Sequence, residues 1–290
     1  MKSSAEAARA FLILGRISNL PTVWSNLTAG WLLAGGWEKG SVPSLTLLLF
    51  GGSFLYIGGM YLNDWCDTAF DSRHRSERPI PSGRISRNKV GLMTAGWFVL
   101  GLACLTPLGW LTSILATLLL AAIVLYDFHH KNVPWAPFLM GFCRFLLYLL
   151  AASVVDSQIP LFLLICAAAL GFYVAGITYI ARGESQPGKP FRWGFLLLLC
   201  PLVVLSNRSF FFVPAPLLFC LLFLGWLILV LIPFWRKTDP FVGRVVSGLL
   251  AGIVLVDALL VSAFSSNWLA AALLPFLLLA LLLQRSIPAT

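Results

Sequence analysis

The residues best equipped for chemistry stand together in Asn63-Asp64-Trp65-Cys66-Asp67-Thr68-Ala69-Phe70-Asp71, where a long apolar segment gives way to a strongly basic one. Three of the chain's 11 acidic residues are here. On a helix, Asp64, Asp67 and Asp71 are spaced i, i+3 and i+7 and share one face. Like charges at that spacing repel by about 0.2–0.5 kcal/mol per pair, and negative charge at a helix C-terminus opposes the macrodipole. A bound cation removes both penalties. One or two carboxylates with a substrate's phosphates is the usual way a protein holds Mg2+. Asp64, Asp67 and Asp71 are therefore the candidate metal ligands, set against the alternative of a solvated acidic helix end.

The chain continues as Ser72-Arg73-His74-Arg75-Ser76-Glu77-Arg78-Pro79-Ile80-Pro81-Ser82-Gly83-Arg84-Ile85-Ser86. Arginine pairs bidentately with phosphate, and Pro79 and Pro81 stiffen the loop. Arg75 and Arg78 are thus candidate substrate contacts, and the two halves together suit a metal-bound diphosphate. A loop serving only as a topology signal has no need of a fixed shape. Lys131, closing Tyr126-Asp127-Phe128-His129-His130-Lys131, is either a phosphate contact or an interfacial anchor. The adjacent histidines face different ways on a helix, which argues against a paired His site. Asn26 is a polar amide inside an apolar run: a functional residue or an interhelical hydrogen bond. Arg144 is also intramembrane, with Asp257 or a substrate anion as its partner. A second acidic cluster would be expected after residue 181 if two metals clamped a diphosphate. In its place stands Tyr179-Ile180-Ala181-Arg182-Gly183-Glu184, with Lys189 and Arg192 beyond.

The elements that must position these residues are membrane helices. A chain 59% hydrophobic and 11% charged, with mean hydropathy +0.90, lies outside the range of soluble domains. Apolar runs that match a helical crossing fall at about 20–36, 43–62, 90–107, 110–127, 135–155, 159–181, 193–206, 210–235, 241–264 and 267–284. The 193–206 run is short and contains Pro201, so the expectation is an all-α polytopic membrane protein of nine or ten transmembrane helices. It reads as a single domain over 1–290, with 63–89 a cytoplasmic loop carrying the first acidic motif and 182–192 a second cytoplasmic loop. With the N-terminus cytoplasmic, all of the 20 Lys and Arg residues except Lys39, Arg208 and the intramembrane Arg144 fall on the inner side. Most of the net charge of +9 is then topology, with no nucleic acid required; the rest suits anionic membrane lipid or a phosphorylated substrate. The basic, apolar start reads as an uncleaved first helix. The six cysteines form no CxxC pair and read as small buried hydrophobes.

Asn63-Asp64-x-x-Asp67-x-x-x-Asp71 followed by Arg78-Pro79-Ile80-Pro81-Ser82-Gly83-Arg84-Ile85-Ser86 closely resembles the first signature of the UbiA superfamily of intramembrane prenyltransferases. The second half looks most like the chlorophyll synthase and digeranylgeranylglyceryl phosphate synthase branches. Arg16…Leu20-Pro21…Asn26 and the Tyr126…Lys131 turn are also similar to family positions, so the resemblance covers about residues 10–265. It implies a helical bundle around a central cavity open to lipid, in which an isoprenyl diphosphate is held with Mg2+ and its prenyl group passes to a lipophilic acceptor, aromatic or alcohol. Carried over, Asp64, Asp67 and Asp71 hold the Mg2+, Asn63 contacts the same group, Arg78 and Lys131 contact phosphate, and Asn26 lines the pocket. The altered second motif is similar to the EboC-like branch, which would imply a bacterial inner membrane and partners from one biosynthetic operon. With Glu184 the one acid left there, either a single metal suffices, or Arg182 and Lys189 supply fixed positive charge in place of a second ion, or catalysis is impaired. The second is favoured, because a guanidinium neutralises a leaving diphosphate much as a metal does. Two rival classes are a transporter or binding protein for a polyprenyl or phosphorylated lipid, and a structural subunit of a membrane complex.

Overall fold

The structure, a computed structural model, describes residues 4–131, 133–185, 192–206, 214–235 and 242–289. Among them are fourteen α-helices and no strand: α1 (Ser4–Leu14), α2 (Leu20–Leu33), α3 (Gly36–Lys39), α4 (Val42–His74), α5 (Arg87–Leu105), α6 (Trp110–His129), α7 (Ala136–Ser153), α8 (Leu161–Ser185), α9 (Arg192–Leu197), α10 (Pro214–Trp235), α11 (Val242–Ala251), α12 (Ile253–Phe264), α13 (Asn267–Ala271) and α14 (Leu274–Gln284). Eight stretches among the described residues are long and apolar enough to cross a membrane, with α11–α12 and α13–α14 each forming one. Eight of the ten apolar runs correspond to these. The expected nine or ten crossings are not all present at that length. The run at 20–36 gives α2, a 14-residue helix buried on nearly every side. The run at 193–206 breaks into α9 and a 3-10 turn at Cys200–Ser206, because Pro201 has no N–H to continue the α-helical ladder.

The core is built around α2 and α12. Every residue from Ile253 to Ser262 is buried, as expected of a helix apolar all round. Where α7 crosses α8 the backbones touch: a Cβ on Gly141 would stand 2.2 Å from the Gly171 carbonyl oxygen. Small residues permit such an approach in lipid, where packing drives association. Gly141→Val is expected to cost about 1–3 kcal/mol of stability. Gly96→Ala, whose Cβ would meet nothing within 4 Å, should not lower the melting temperature in detergent. Equal melting of the two variants would contradict this packing.

Helix α4 carries the first acidic motif. Ser41 caps it, accepting the Ser44 N–H at 3.3 Å, and its 33 residues outrun the bilayer core, since about 20 residues suffice to cross. Its final turns therefore project past the apolar run and present the acidic face at the membrane surface. This corrects the reading of 63–89 as a loop. Residues 63–74 are helical because nothing before Pro79 interrupts the ladder and arginines neutralise the acidic face; the connection covers 75–86 only. That connection is itself ordered. Gly83 adopts φ 69, and the N–H groups of Arg84 and Ile85 close back on the Pro79 carbonyl at 3.0 and 3.2 Å. Ile80 and Ile85 are buried against Ala10, Leu14, Tyr61 and Val90. The turn and this small core fix where Arg78 emerges. All six cysteines are free.

Candidate active site

Asp64, Asp67 and Asp71 do share one face of α4, and cations from three other segments meet them. Arg78 Nη1 bridges Asp64 at 3.1 Å and Asp71 at 3.0 Å. Arg16 Nη2 reaches Asp64 at 3.4 Å and donates to Asn63 Oδ1 at 3.0 Å. Lys131 Nζ lies 2.6 Å from Asp67, with His130 Nε2 at 3.5 Å on the other oxygen. Lys131 also sits 4.0 Å above the Phe70 ring. Asp64 and Asp71 are buried, where an unpaired carboxylate would be costly and a paired one is tolerable. Lys131 is therefore part of this cluster rather than a simple interfacial anchor.

Asp64 and Asp71 meet on Arg78 Nη1, while Asp67 turns to Lys131 and His130, and among the described residues no three Asp, Glu, His or Cys side chains form a group able to hold a metal. Each takes the nearest guanidinium or ammonium because opposite charge at about 3 Å outweighs the repulsion of its neighbours. The donor set, hard carboxylate oxygens on one helix face, still fits a divalent ion bound through one or two carboxylates and completed by phosphate oxygens.

Behind the charged face lies a cleft between α4, α6 and α7, lined chiefly by apolar residues together with Tyr56, Tyr126, Asp127 and Arg144. Asp127 joins it to the cluster, accepting from Asn63 Nδ2 at 3.0 Å. Arg144 is on the cavity wall, with Nη1 donating to Asn26 Oδ1 at 2.6 Å and Nη2 to Thr22 Oγ1 at 3.2 Å. Asn26 Nδ2 in turn donates to both Asp257 oxygens, at 3.0 and 2.8 Å, and Ser25 and Tyr148 also donate to Asp257. Arg144 is thus linked indirectly to Asp257 through Asn26 while it also lines the cleft. Asn26 itself does not line the cavity, contrary to expectation: fully buried, it spends its amide between α7 and α12.

The second motif is brought less fully together. Arg182 Nη1 donates to the carbonyls of Val133 at 3.0 Å and Pro134 at 3.3 Å, and the Tyr179 hydroxyl donates to the latter at 3.4 Å. These two side chains hold the α6–α7 connection, and among the described residues Arg182 makes no ion pair with the α4 carboxylates. Arg75 ends α4, its N–H donating to the Asp71 carbonyl at 2.7 Å. Glu184 lies in the last turn of α8, its side chain outside what is described, and Lys189 falls outside the described residues.

Three residues of the site went unassigned in the sequence. Arg16 holds the left-handed conformation at φ 42, a conformation worth roughly 1–2 kcal/mol of strain in a non-glycine residue; the turn aims its side chain at α4. His130 and Asp127 belong to a hexapeptide already marked, yet only the direction of α6 shows which of its residues face inward.

A model of the UbiA prenyltransferase family matches residues 18–190. The digeranylgeranylglyceryl phosphate synthase of Methanopyrus kandleri is 28% identical over 158 residues, covering 52% of this chain and 55% of its own. The 4-hydroxybenzoate octaprenyltransferase of Cupriavidus pinatubonensis is 29% identical over 159 residues, covering 53% and 54%. The chain spans about half the length of the curated relatives it matches. A UbiA homolog from Archaeoglobus fulgidus, solved bound to GPP and Mg2+, superposes with a TM-score of 0.52 at 14% identity, covering 96% of this chain and 97% of that one; at that identity the likeness is one of fold.

Proposed function

We propose, from the premise that this chain belongs to the UbiA prenyltransferase family, that it transfers a prenyl group from an isoprenyl diphosphate to a lipophilic acceptor within the membrane, its charged face on the cytoplasmic side. The observation that carries this reading is the junction at Asn63 and Asp127, where a cluster of carboxylates and cations opens onto an apolar cleft. A molecule with a diphosphate head and a hydrocarbon tail has that polarity.

In this reading Arg16, Arg78 and Lys131 exchange their carboxylate partners for phosphate oxygens as the donor enters, freeing Asp64, Asp67 and Asp71 to hold Mg2+. When bound, Mg2+ neutralises charge building on the departing diphosphate. The cationic side chains act on the same oxygens, already in place before the allylic C–O bond weakens. Leu55, Leu119, Ile123 and Leu147 take the prenyl chain and exclude water, while the Tyr56 and Tyr126 rings offer π-faces to the allylic cation. Arg182, beside the α6–α7 connection, supplies positive charge where the second acidic motif is altered, with Lys189 assigned the same task from its sequence position.

The rival reading is a protein that binds prenyl diphosphate without turning it over. Purified protein in nanodiscs, incubated with labelled geranylgeranyl diphosphate, Mg2+ and host lipid extract, separates the two. Transfer is expected to give a labelled lipid product that EDTA suppresses to background. Retained donor with no product would establish the rival instead.

A further inference from the structure

We propose that Asn19 is a positioning residue: it latches the turn at Arg16 onto the segment that follows α14, holds the Arg16 guanidinium ready for the donor's diphosphate, and so sets donor affinity. This rests on the prenyl-transfer reading and adds to it a residue that acts without touching the substrate. Arg16 is the one non-glycine residue with positive φ among the described residues, at 42°. Such a conformation persists only where its surroundings over-determine it. The Arg16 N–H donates to the Ile13 carbonyl at 3.0 Å, and its own carbonyl accepts from the Asn19 N–H at 2.9 Å and from the Tyr56 hydroxyl at 3.2 Å.

The 3-10 turn that follows, Ile17–Asn19, is in turn held from outside. Asn19 Nδ2 donates to the Ala289 carbonyl at 2.8 Å and Ser18 Oγ to the Pro288 carbonyl at 3.3 Å, each contact spanning 270 residues of sequence. Thr22 Oγ1 fixes the other end, donating to the Asn19 carbonyl at 2.7 Å. Ser18, Asn19, Ile287 and Ala289 are all buried, so water does not compete for these bonds. Asn19 is not on the cleft wall; its route to the site is the Arg16 turn. Released from the latch, residue 16 regains the right-handed region that L residues favour. Its guanidinium then swings away from Asn63 and Asp64, where it now stands at 3.0 and 3.4 Å. A cation that must be ordered during binding costs affinity that a preorganised one does not.

The test measures the Kd for labelled geranylgeranyl diphosphate in nanodiscs, with no acceptor present, for wild type, Asn19→Leu, Arg16→Gln and the double variant. Leucine keeps the size of the Asn19 side chain and removes its donor. Arg16→Gln is expected to weaken donor binding about 10–100-fold, the range of a lost charge-assisted hydrogen bond, and Asn19→Leu about 5–10-fold. In the Arg16→Gln background, Asn19→Leu should change the Kd by less than about twofold, because the side chain it positions is gone. Should Asn19→Leu fail to fold, Ser18→Ala decides: it removes only the 3.3 Å bond to Pro288 and is expected to weaken binding about two- to threefold with Arg16 present and not without it. Equal weakening in both backgrounds would mark Asn19 as packing alone and overturn the proposal, as would donor binding by the Asn19 and Ser18 variants that matches wild type. If Arg16→Gln binds donor as wild type does, the proposal falls and prenyl transfer stands. A wild-type protein that retains no donor sinks the transferase reading itself, and that failure is visible before any variant is compared.

Discussion

In Asp64→Ala and Asp67→Ala proteins, prenyl transfer is expected to fall by about 10²–10⁴, with the fold intact. Each substitution removes a carboxylate from the face assigned to Mg2+, and such an ion contributes several kcal/mol of charge stabilisation, each 1.4 kcal/mol being tenfold in rate. The fold should survive because the cations left behind are not stranded. Without Asp64, Arg78 keeps Asp71 at 3.0 Å and Arg16 keeps Asn63 at 3.0 Å. Without Asp67, Lys131 keeps the Phe70 ring at 4.0 Å. Side-chain exposures of 21% for Arg16 and 15% for Arg78 leave both within reach of water at the mouth. Melting temperature should therefore shift little while turnover collapses, a split that a purely structural role for these aspartates would not produce. Asp64→Asn, which keeps the side-chain volume, should be nearly as inactive as the alanine variant. Full activity in both alanine variants would remove the proposed function.

How far the sequence foretold this site depends on how local each part is. The acidic face of α4 was legible because i, i+3, i+7 spacing is a property of one helix, and the Pro79–Arg84 turn because proline and glycine fix it locally. Arg16 was not, since its contact with Asn63 spans 47 residues and depends on a left-handed turn that favours no arginine. Spacing sets which carboxylates share the face, whereas the cations that each one meets come from other segments. Asp127 escaped notice because one acid among aromatic and basic residues has an unremarkable composition; only its place on the cleft wall, bonded to Asn63, marks it. Eight apolar runs became crossings because hydrophobic length is a sufficient signal for them. At α2 the run ended after 14 residues, and at Cys200–Ser206 proline diverted it into a tighter turn.

The other large effect belongs to Asp257, which the sequence offered only as a default structural pair. Fully buried in α12, it accepts from Ser25, Asn26 and Tyr148 and so joins α2, α7 and α12. Asp257→Ala strands three donors, each left unmet at about 1–3 kcal/mol. It also removes the negative charge nearest the Asn26 bridge to Arg144, and breaking a buried ionic network from one side costs about 3–5 kcal/mol. The apparent melting temperature in detergent is expected to drop by roughly 10 °C or more. If Arg144 is held through Asn26, the two changes cannot be additive. Asp257→Ala with Arg144→Met should be less destabilised than the two single losses summed, because the second substitution removes the charge that the first left uncompensated. Strict additivity would mean that Arg144 answers to something else in the cleft. Unchanged melting of D257A alone would mean that α2 and α12 are held by their apolar packing, with the polar bridge between them incidental.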